Sequence, residues 1–460
     1  MIPWSLERVA EAVGGRVVND PDQAVVTSVV SDSRDVRPGS LFVAIPGERV
    51  DGHDFVSQTL QQGAVATLAS RDVPGPAVMV DDSVEALGRL ARAYRDSLTN
   101  ITVVALTGSS GKTTTKDLLS VVLATAGETV SPKGSYNSEV GLPLTILECE
   151  ESTRFLILEM GMRGFGHIDY LCGIGRPDIA GLINVGSAHL GMVGSREGIA
   201  RAKGEIFDAL PASGRAIANA DDALVMSQAD RSTAPVLTFG ESAGSDVRFS
   251  DVRLDGEARP SFDIHYREDS AHVDLRIAGE HQAANATAAA AMAIAAGLPL
   301  PDIAQALSSA QALSKWRMEV HHRPDGVTII NDAYNANPES MRAALKALVA
   351  MGRDRRTWAV LGAMGELGED AVEEHDSLGR MVVRLDVNKL LAVGDATRPL
   401  FLAASLEGSW GEEAAWVPDT EAAIALLNQQ LEPGDVVLIK ASRAVGLERI
   451  SDALLGEVSG

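Results

Sequence analysis

The run "ALTGSSGKTTTKDLL", residues 105 to 119, carries the residue types needed to hold a polyphosphate. Thr107, Gly108, Ser109, Ser110, Gly111, Lys112, Thr113 and Thr114 join an apolar, strand-like run to a stretch of helical character. Glycines let backbone N–H groups approach phosphate oxygens, and a helix N-terminus adds positive potential. Lys112 would reach the terminal phosphates, and the Thr113 hydroxyl would ligate Mg2+. The spelling departs from the Walker pattern, because Leu106 stands where its first glycine would be. That speaks against the common kinase and GTPase versions of the loop. The Gly-Lys-Thr-Thr run directly after a buried-type strand speaks against an ordinary turn with a surface lysine.

Three further side chains could join this loop. Glu159 closes the apolar run "FLILEMG". A carboxylate there sits at the carboxyl edge of a parallel sheet, where ligands bind in such folds. It could hold Mg2+, or it could be a solvated strand-end residue. His189, in "NVGSAHLG", follows the next apolar run. A neutral imidazole could bind a metal or orient another ligand, and a purely structural loop histidine is the alternative. Lys203 lies in "SREGIARAKGEIFDAL". With Ser195 as N-cap, that helix buries Ile199, Ala202, Ile206 and Leu210, and Lys203 borders the apolar face. Partial burial lowers a lysine pKa and exposes the neutral amine. Such an amine can react with CO2 to form a carbamate, a carboxylate on a long arm. A snorkelling lysine is the simpler reading. Together the set suffices for a nucleotide with one or two metal ions.

The elements that must position these groups fall into three stretches. A length of 460 residues predicts two to four domains. Residues 1–83 mix short strands and helices, among them a strand at "LFVAI" (41–45) and a helix over 52–64 stopped by Gly63. A helix over 81–98, with Ser83 as N-cap, opens the second domain, 84–312. There "ITVVALTG", "FLILEMG" and "IAGLINVG" are continuous apolar runs, as in strands buried on both faces. Between 236 and 277, "VRFSDVRL", "SFDIHY" and "HVDLRI" alternate instead, as antiparallel strands with one wet face do. An Ala-rich helix follows. The third domain, 313–460, repeats the buried-strand pattern at "GVTIIND", "TWAVLGAMG", "KLLAVGD" and "DVVLIKASR", with a helix over 337–351. The fold class expected is α/β in three domains, the central one a P-loop ATPase-like parallel sheet with an added antiparallel sheet.

Composition bounds the partners. A net charge of −23 argues against nucleic acid or an anionic membrane surface as a general partner, so any phosphate site must be local. The two cysteines, Cys149 and Cys172, have no zinc-type spacing, which fits a reducing compartment. The start "MIPWSLERVAEAVGG" does not read as a signal peptide. No apolar run approaches the roughly 20 residues that span a bilayer.

The motifs "TGSSGKTTTK", "LEMGMRGFGHIDYL", "AHLG", "RAKGEIF", "GEHQAANATAA", "NDAYNANPESM", "LGAMGELG" and "KASRAVGLE", in this order, resemble the Mur ligase family. The likeness is nearest the MurF type, which adds D-alanyl-D-alanine to UDP-N-acetylmuramoyl-tripeptide. "SDSRDVRPGSLFVAIPGERVDGHDF" is similar to the UDP-binding module of the same enzymes. The resemblance implies a small α/β UDP-binding module, the central ATP-binding domain, and a C-terminal Rossmann-like domain that closes over ATP and binds the dipeptide. It implies that Lys112 contacts the γ-phosphate, that Thr113 and Glu159 serve one Mg2+, and that His189 and a carbamylated Lys203 hold a second. Asn285 would lie by the adenine, Asp332 by the ribose, and Arg317 would approach the phosphates. Asn137, Asn335 and Asn337 would line the substrate cleft, with Ser31, Asp32, Ser33 and Arg34 on the UDP side. Three positions differ from the family's habit: Ser138 where many relatives have a second Asn, Trp316 where Gly is common, and Ala441 where Gly is usual.

The activity so implied is ATP-dependent amide ligation through an acyl phosphate, by a cytoplasmic monomer making peptidoglycan precursors. Rivals are an amino-acid-adding Mur ligase of the MurE type, a folylpolyglutamate synthetase, and a non-catalytic nucleotide switch. A switch needs no second metal, so Glu159, His189 and Lys203 on one sheet edge favour catalysis.

Overall fold

The computed structural model describes residues 1–20, 23–47, 50–187, 190–311, 313–408 and 413–456. His189 therefore lies outside the described residues. Among the described residues the central sheet has nine strands. In order across it they are Asp269–Asp274, Pro260–Tyr266, Val247–Leu254, Val236–Gly240, Arg215–Asn219, Ile179–Leu182, Thr102–Thr107, Phe155–Glu159 and Thr129–Val130.

The strand Thr102–Thr107 lies between parallel partners, pairing Leu106 with both Glu159 and Gly181. Its side chains alternate between two cores. Val103 and Ala105 pack on the side of the helix Arg196–Asp208, while Val104 and Leu106 pack on the side of Lys112–Ala124 and Gln282–Ala295. Burial on both faces is why the sequence here is continuously apolar. Leu106 is fully buried. The strand runs one residue further, to Thr107, whose hydroxyl donates to Met160 O at 2.8 Å. Parallel pairing brings the carboxyl ends of three strands level, and Thr107, Glu159 and the residues after Leu182 stand side by side.

The antiparallel extension forms, with one change. "HVDLRI" is only half strand: the return strand is Asp269–Asp274. Arg267 takes φ +55° in a two-residue turn that pairs Tyr266 with Asp269. The pairing ends with Ser261 opposite Asp274, one residue after the facing strand begins at Pro260. The helix opening the second stretch is Ser83–Ser97, and its N-cap is Asp82 rather than Ser83. The Asp82 carboxylate accepts from Val84 N at 2.7 Å and Glu85 N at 2.9 Å, while Ser83 is buried as the first helical residue. The segment expected as one helix over 52–64 is a 3-10 turn, Gly52–Phe55, followed by the helix Val56–Gln61. Gly63, at φ +107°, ends it.

The N-terminal sheet orders Arg16–Val18, Ala77–Met79, Ala64–Ala69, Ser40–Val43 and Ser28–Val30. It is fastened to the central unit through Tyr94. That ring meets Trp4 edge-on at 5.4 Å, and its hydroxyl donates to Cys149 O at 2.6 Å while accepting from Ile2 N at 2.8 Å. The C-terminal sheet orders Glu319–His322, Thr328–Asn331, Val436–Lys440, Thr357–Leu361, Lys389–Val393 and Ala414–Val417, parallel except for its first strand. Its helix Pro338–Met351 starts with a capping box between Asn337 and Ser340.

The C-terminal unit is docked on the central one. Asn337 Nδ2 donates to Ser109 O at 3.2 Å, and Glu339 Oε1 accepts from Ser187 N and Oγ at 3.0 Å each. Tyr334 and Ser135 share a short hydroxyl–hydroxyl hydrogen bond. Glu257 and His322 meet at 3.2 Å on another side of the contact. Among the described residues no helix is long and apolar enough to cross a membrane.

Candidate active site

The loop after Thr107 owes its shape to a residue the sequence reading passed over. Asn184 follows the neighbouring strand, and its Oδ1 accepts from Ser109 N and Ser110 N at 2.9 Å each. Its Nδ2 returns a bond to Ser110 O at 3.0 Å. A polar residue inside the apolar run "IAGLINVG" was the available signal. Gly111 then turns the chain into the helix Lys112–Ala124 at φ +76°, with no side-chain cap. The first N–H groups of that helix have no intrahelical acceptor and face the cleft.

Gly111 is fixed by space as well as by angle. A Cβ there would stand 2.3 Å from Asn285 Oδ1, whose amide is anchored to Gln282 Oε1 at 2.8 Å. Gly111→Ala is therefore expected to weaken ADP binding by at least about tenfold, the size of the left-handed penalty for a residue with a side chain. Calorimetric titration with ADP measures it, and an unchanged affinity would contradict this account.

Two lysines converge on one carbonyl. Lys112 Nζ donates to Gly108 O at 2.8 Å, and Lys203 Nζ reaches the same oxygen at 3.1 Å. Lys203 is completely buried, deeper than its place at the border of the helix face suggested. Ser195 caps that helix as expected, accepting from Gly198 N at 3.0 Å. Burial drives the Lys203 amine well below the ordinary lysine range, and the Lys112 charge adds to this, while Glu366 acts in the opposite sense. Lys112 is also lowered, first by desolvation in the cleft; Glu159 and Glu366 oppose this and Arg317 reinforces it.

Opposite the lysines lies an oxygen-rich corner. Thr113 Oγ1 donates to Glu159 Oε2 at 2.9 Å, and Asn137 Nδ2 donates to Glu159 Oε1 at 2.8 Å. Thr113 and Glu159 are buried at 2% and 1% exposure, so the carboxylate is a fixed strand-end group and not a solvated one. A hydroxyl and a carboxylate at a P-loop form the hard donor set that suits Mg2+. Among the described residues, no three or more His, Cys, Asp or Glu side chains gather as a metal cluster.

These groups line a cavity of about 370 Å³ between the central and C-terminal units. Ser109, Ser110, Gly111, Lys112, Thr113, Thr114, Asn137, Glu159, Asn285, Arg317, Asp332, Asn335 and Asn337 all contribute to it. Ser109 Oγ and Arg317 Nε are buried there without a protein partner, which suits a ligand rich in acceptor oxygens. Asp332 is engaged on both carboxylate oxygens: Oδ1 accepts from Met318 N at 3.1 Å and Oδ2 from Lys440 Nζ at 2.5 Å. Asn335 is exposed on the cleft wall.

Ser31, Asp32, Ser33 and Arg34 stand apart, on the N-terminal unit, and do not line this cavity. Asp32 caps the 3-10 turn Ser33–Asp35, and its bond to Arg34 pulls its carboxyl down to about 2. Tyr334, Glu339 and Lys440 line the cleft and Glu366 acts electrostatically on both lysines; motif reading singled out none of them. They sit beside the named residues in "NDAYNANPESM", "KASR" and "LGAMGELG"; docking gives Tyr334 and Glu339 their partners Ser135 and Ser187 across the cleft, while Lys440 binds Asp332 and Asn335 within its own unit.

Comparison with known proteins identifies the family. Family models described as Mur ligase family, catalytic domain; Mur ligase middle domain; and Mur ligase, glutamate ligase domain match residues 25–95, 106–293 and 316–443. A Mycobacterium tuberculosis protein named UDP-N-acetylmuramoyl-tripeptide--D-alanyl-D-alanine ligase is 44% identical, covering 99% of this chain and 98% of its own. The crystal structure of MurF from Acinetobacter baumannii matches with a TM-score of 0.89 at 33% identity, over 99% of each chain. MurF from Thermotoga maritima in complex with ADP matches with a TM-score of 0.81 at 32% identity, over 94% of this chain and 97% of its own. By three consecutive domain matches and full-length identity, the chain belongs to the Mur ligase family.

Proposed function

We infer that the protein is an ATP-dependent amide ligase of the MurF type, joining D-alanyl-D-alanine to UDP-N-acetylmuramoyl-tripeptide in peptidoglycan precursor synthesis. The observation that carries this reading is one cavity lined by Lys112, Thr113, Glu159 and Arg317, whose Nε has no hydrogen-bond partner, with Lys203 buried on the same Gly108 carbonyl that Lys112 reaches. Residues 1–83 would hold the UDP end, 84–312 ATP, and 313–460 the dipeptide. ATP as co-substrate and an anionic sugar nucleotide fit a cytoplasmic enzyme, and we take it to act as a monomer.

The tripeptide's terminal carboxylate oxygen attacks the γ-phosphorus, and the bond to the bridging oxygen of ADP breaks. The dipeptide amine then attacks the acyl carbon, the carbon–oxygen bond to phosphate breaks, and the nitrogen gives up a proton. Both reactants of the first step are anionic, so their charge must be offset before they meet. Lys112 and Arg317 supply two cations at the cavity. Thr113 and Glu159 would hold one Mg2+, and His189 with a carbamylated Lys203 a second; bound there, Mg2+ neutralises phosphate charge. The carbamate would form as the neutral Lys203 amine adds to CO2 and releases a proton. Asn137 fixes Glu159, and Asn337 fixes the loop carbonyl at Ser109. Docking of the C-terminal unit keeps water from the acyl phosphate.

Phosphate release from ATP should require the UDP-linked tripeptide and D-alanyl-D-alanine together. Turnover with a free amino acid in place of the dipeptide would overturn the assignment in favour of an amino-acid-adding ligase.

A further inference from the structure

Arg317 reaches the cavity on a strained turn. Trp316 and Met318, on either side of it, have φ of +60° and +52°, a region costly for residues that carry a Cβ. Both are held from the strand end across the turn: Tyr334 N donates to Trp316 O at 3.1 Å, and Asp332 Oδ1 accepts from Met318 N at 3.1 Å. Arg443 closes the outside, its guanidinium 4.1 Å from the centre of the Trp316 ring. The Arg317 guanidinium lies 4.1 Å from the centre of the Tyr334 ring, with Nε buried and unpartnered. The hydroxyl of that same tyrosine bonds Ser135 of the central unit.

Tyr334 thus touches three things at once: the backbone of the Arg317 turn, the guanidinium, and the opposite side of the cleft. The geometry points to Tyr334 as a positioning residue that couples docking of the C-terminal unit to the placement of Arg317. When the units dock, the hydroxyl pair sets the ring, and the ring sets the cation. When they part, the ring loses its anchor and Arg317 loses its aim. A flat aromatic face suits this task, because it holds a guanidinium without using the N–H donors needed for phosphate oxygens. The inference rests on the ligase reading above, in which Arg317 meets phosphate.

The test is a double-mutant cycle with Ser135→Ala and Tyr334→Phe in the full chain, read as phosphate release with both substrates and as ADP affinity. Each single variant is expected to lower kcat about five- to tenfold, the size of one hydrogen bond, with ADP affinity within about threefold of wild type. The double variant should be no slower than the slower single, since both remove the same bond. Ser135→Thr keeps a hydroxyl and should restore the rate. Tyr334→Leu removes the ring and should cost about a hundredfold, with Arg317→Ala adding little on top of it. Additive losses in the cycle, no rescue by Ser135→Thr, or a Tyr334→Phe rate within about twofold of wild type would each overturn the inference while wild type remains a ligase. A wild type without two-substrate phosphate release would overturn the ligase reading, and this inference with it.

Discussion

Lys112→Met should lower two-substrate phosphate release by about 100- to 1,000-fold while the protein stays folded, the range found when one preorganised electrostatic group is removed from a reacting centre. Methionine keeps an unbranched apolar stem of similar length and loses the charge and the hydrogen-bond donors. The fold should tolerate this, because among the described residues the Lys112 ammonium has one protein acceptor, Gly108 O, and that oxygen keeps Lys203. The loss should fall mainly on kcat, since charge builds on the transferring phosphoryl group in the transition state more than in bound ATP. Steady-state phosphate assays with a melting curve as the folding control measure this. A folded variant within about tenfold of wild type would remove Lys112 from the catalytic centre.

Lys203 is expected to behave in the opposite way towards stability. A fully buried amine whose acceptor among the described residues is Gly108 O is costly to fold, and Met fills a similar volume without that cost. Lys203→Met should therefore melt at the same temperature as wild type or higher, yet lose about 100-fold or more in ligase rate. The carbamate account adds a finer expectation. Wild type should slow in buffer stripped of bicarbonate, and Lys203→Ala should regain part of its rate with a short carboxylate such as acetate. Full activity of Lys203→Ala at low bicarbonate would end the carbamate account. Full activity of Lys203→Met would end any role for Lys203 in catalysis.

The two variants separate charge from burial. Lys112 lines the cleft, where its ammonium is available to a ligand, while Lys203 is fully buried and does not line it, though both reach the same carbonyl. Burial lowers both amines, and the Lys112 charge lowers Lys203, the more deeply buried, further.

Much of the site was legible because it is local. Gly111, Lys112 and Thr113 are consecutive, and a strand–turn–helix read from periodicity is enough to place them. Glu159 was legible because continuous apolar runs imply parallel strands, and parallel strands bring their carboxyl ends level. The Ser195 cap was likewise a matter of neighbours. Where reading by neighbours failed, two local candidates competed. Asp82 took the cap from Ser83 because a carboxylate one residue earlier accepts two N–H groups. The strand of "HVDLRI" began three residues earlier because a two-residue turn, invisible to alternation, set its register.

What the sequence determined by itself is the inventory and the local frame: a phosphate loop whose Leu106 is a buried strand residue, a carboxylate on the next strand end, and a lysine on an apolar helix face. The tertiary structure decided which groups answer one another. Asn184 shapes the loop from 74 and 75 residues away. Asn337 and Glu339 reach the central unit from separations of 228 and 152, and Tyr334 meets Ser135 across 199. Periodicity, capping and turn chemistry act over a few residues, whereas docking two separately wound sheets depends on the shape of both. Hence a lysine readable as snorkelling proved wholly buried, and a tyrosine inside a motif gained its place only when the two units met.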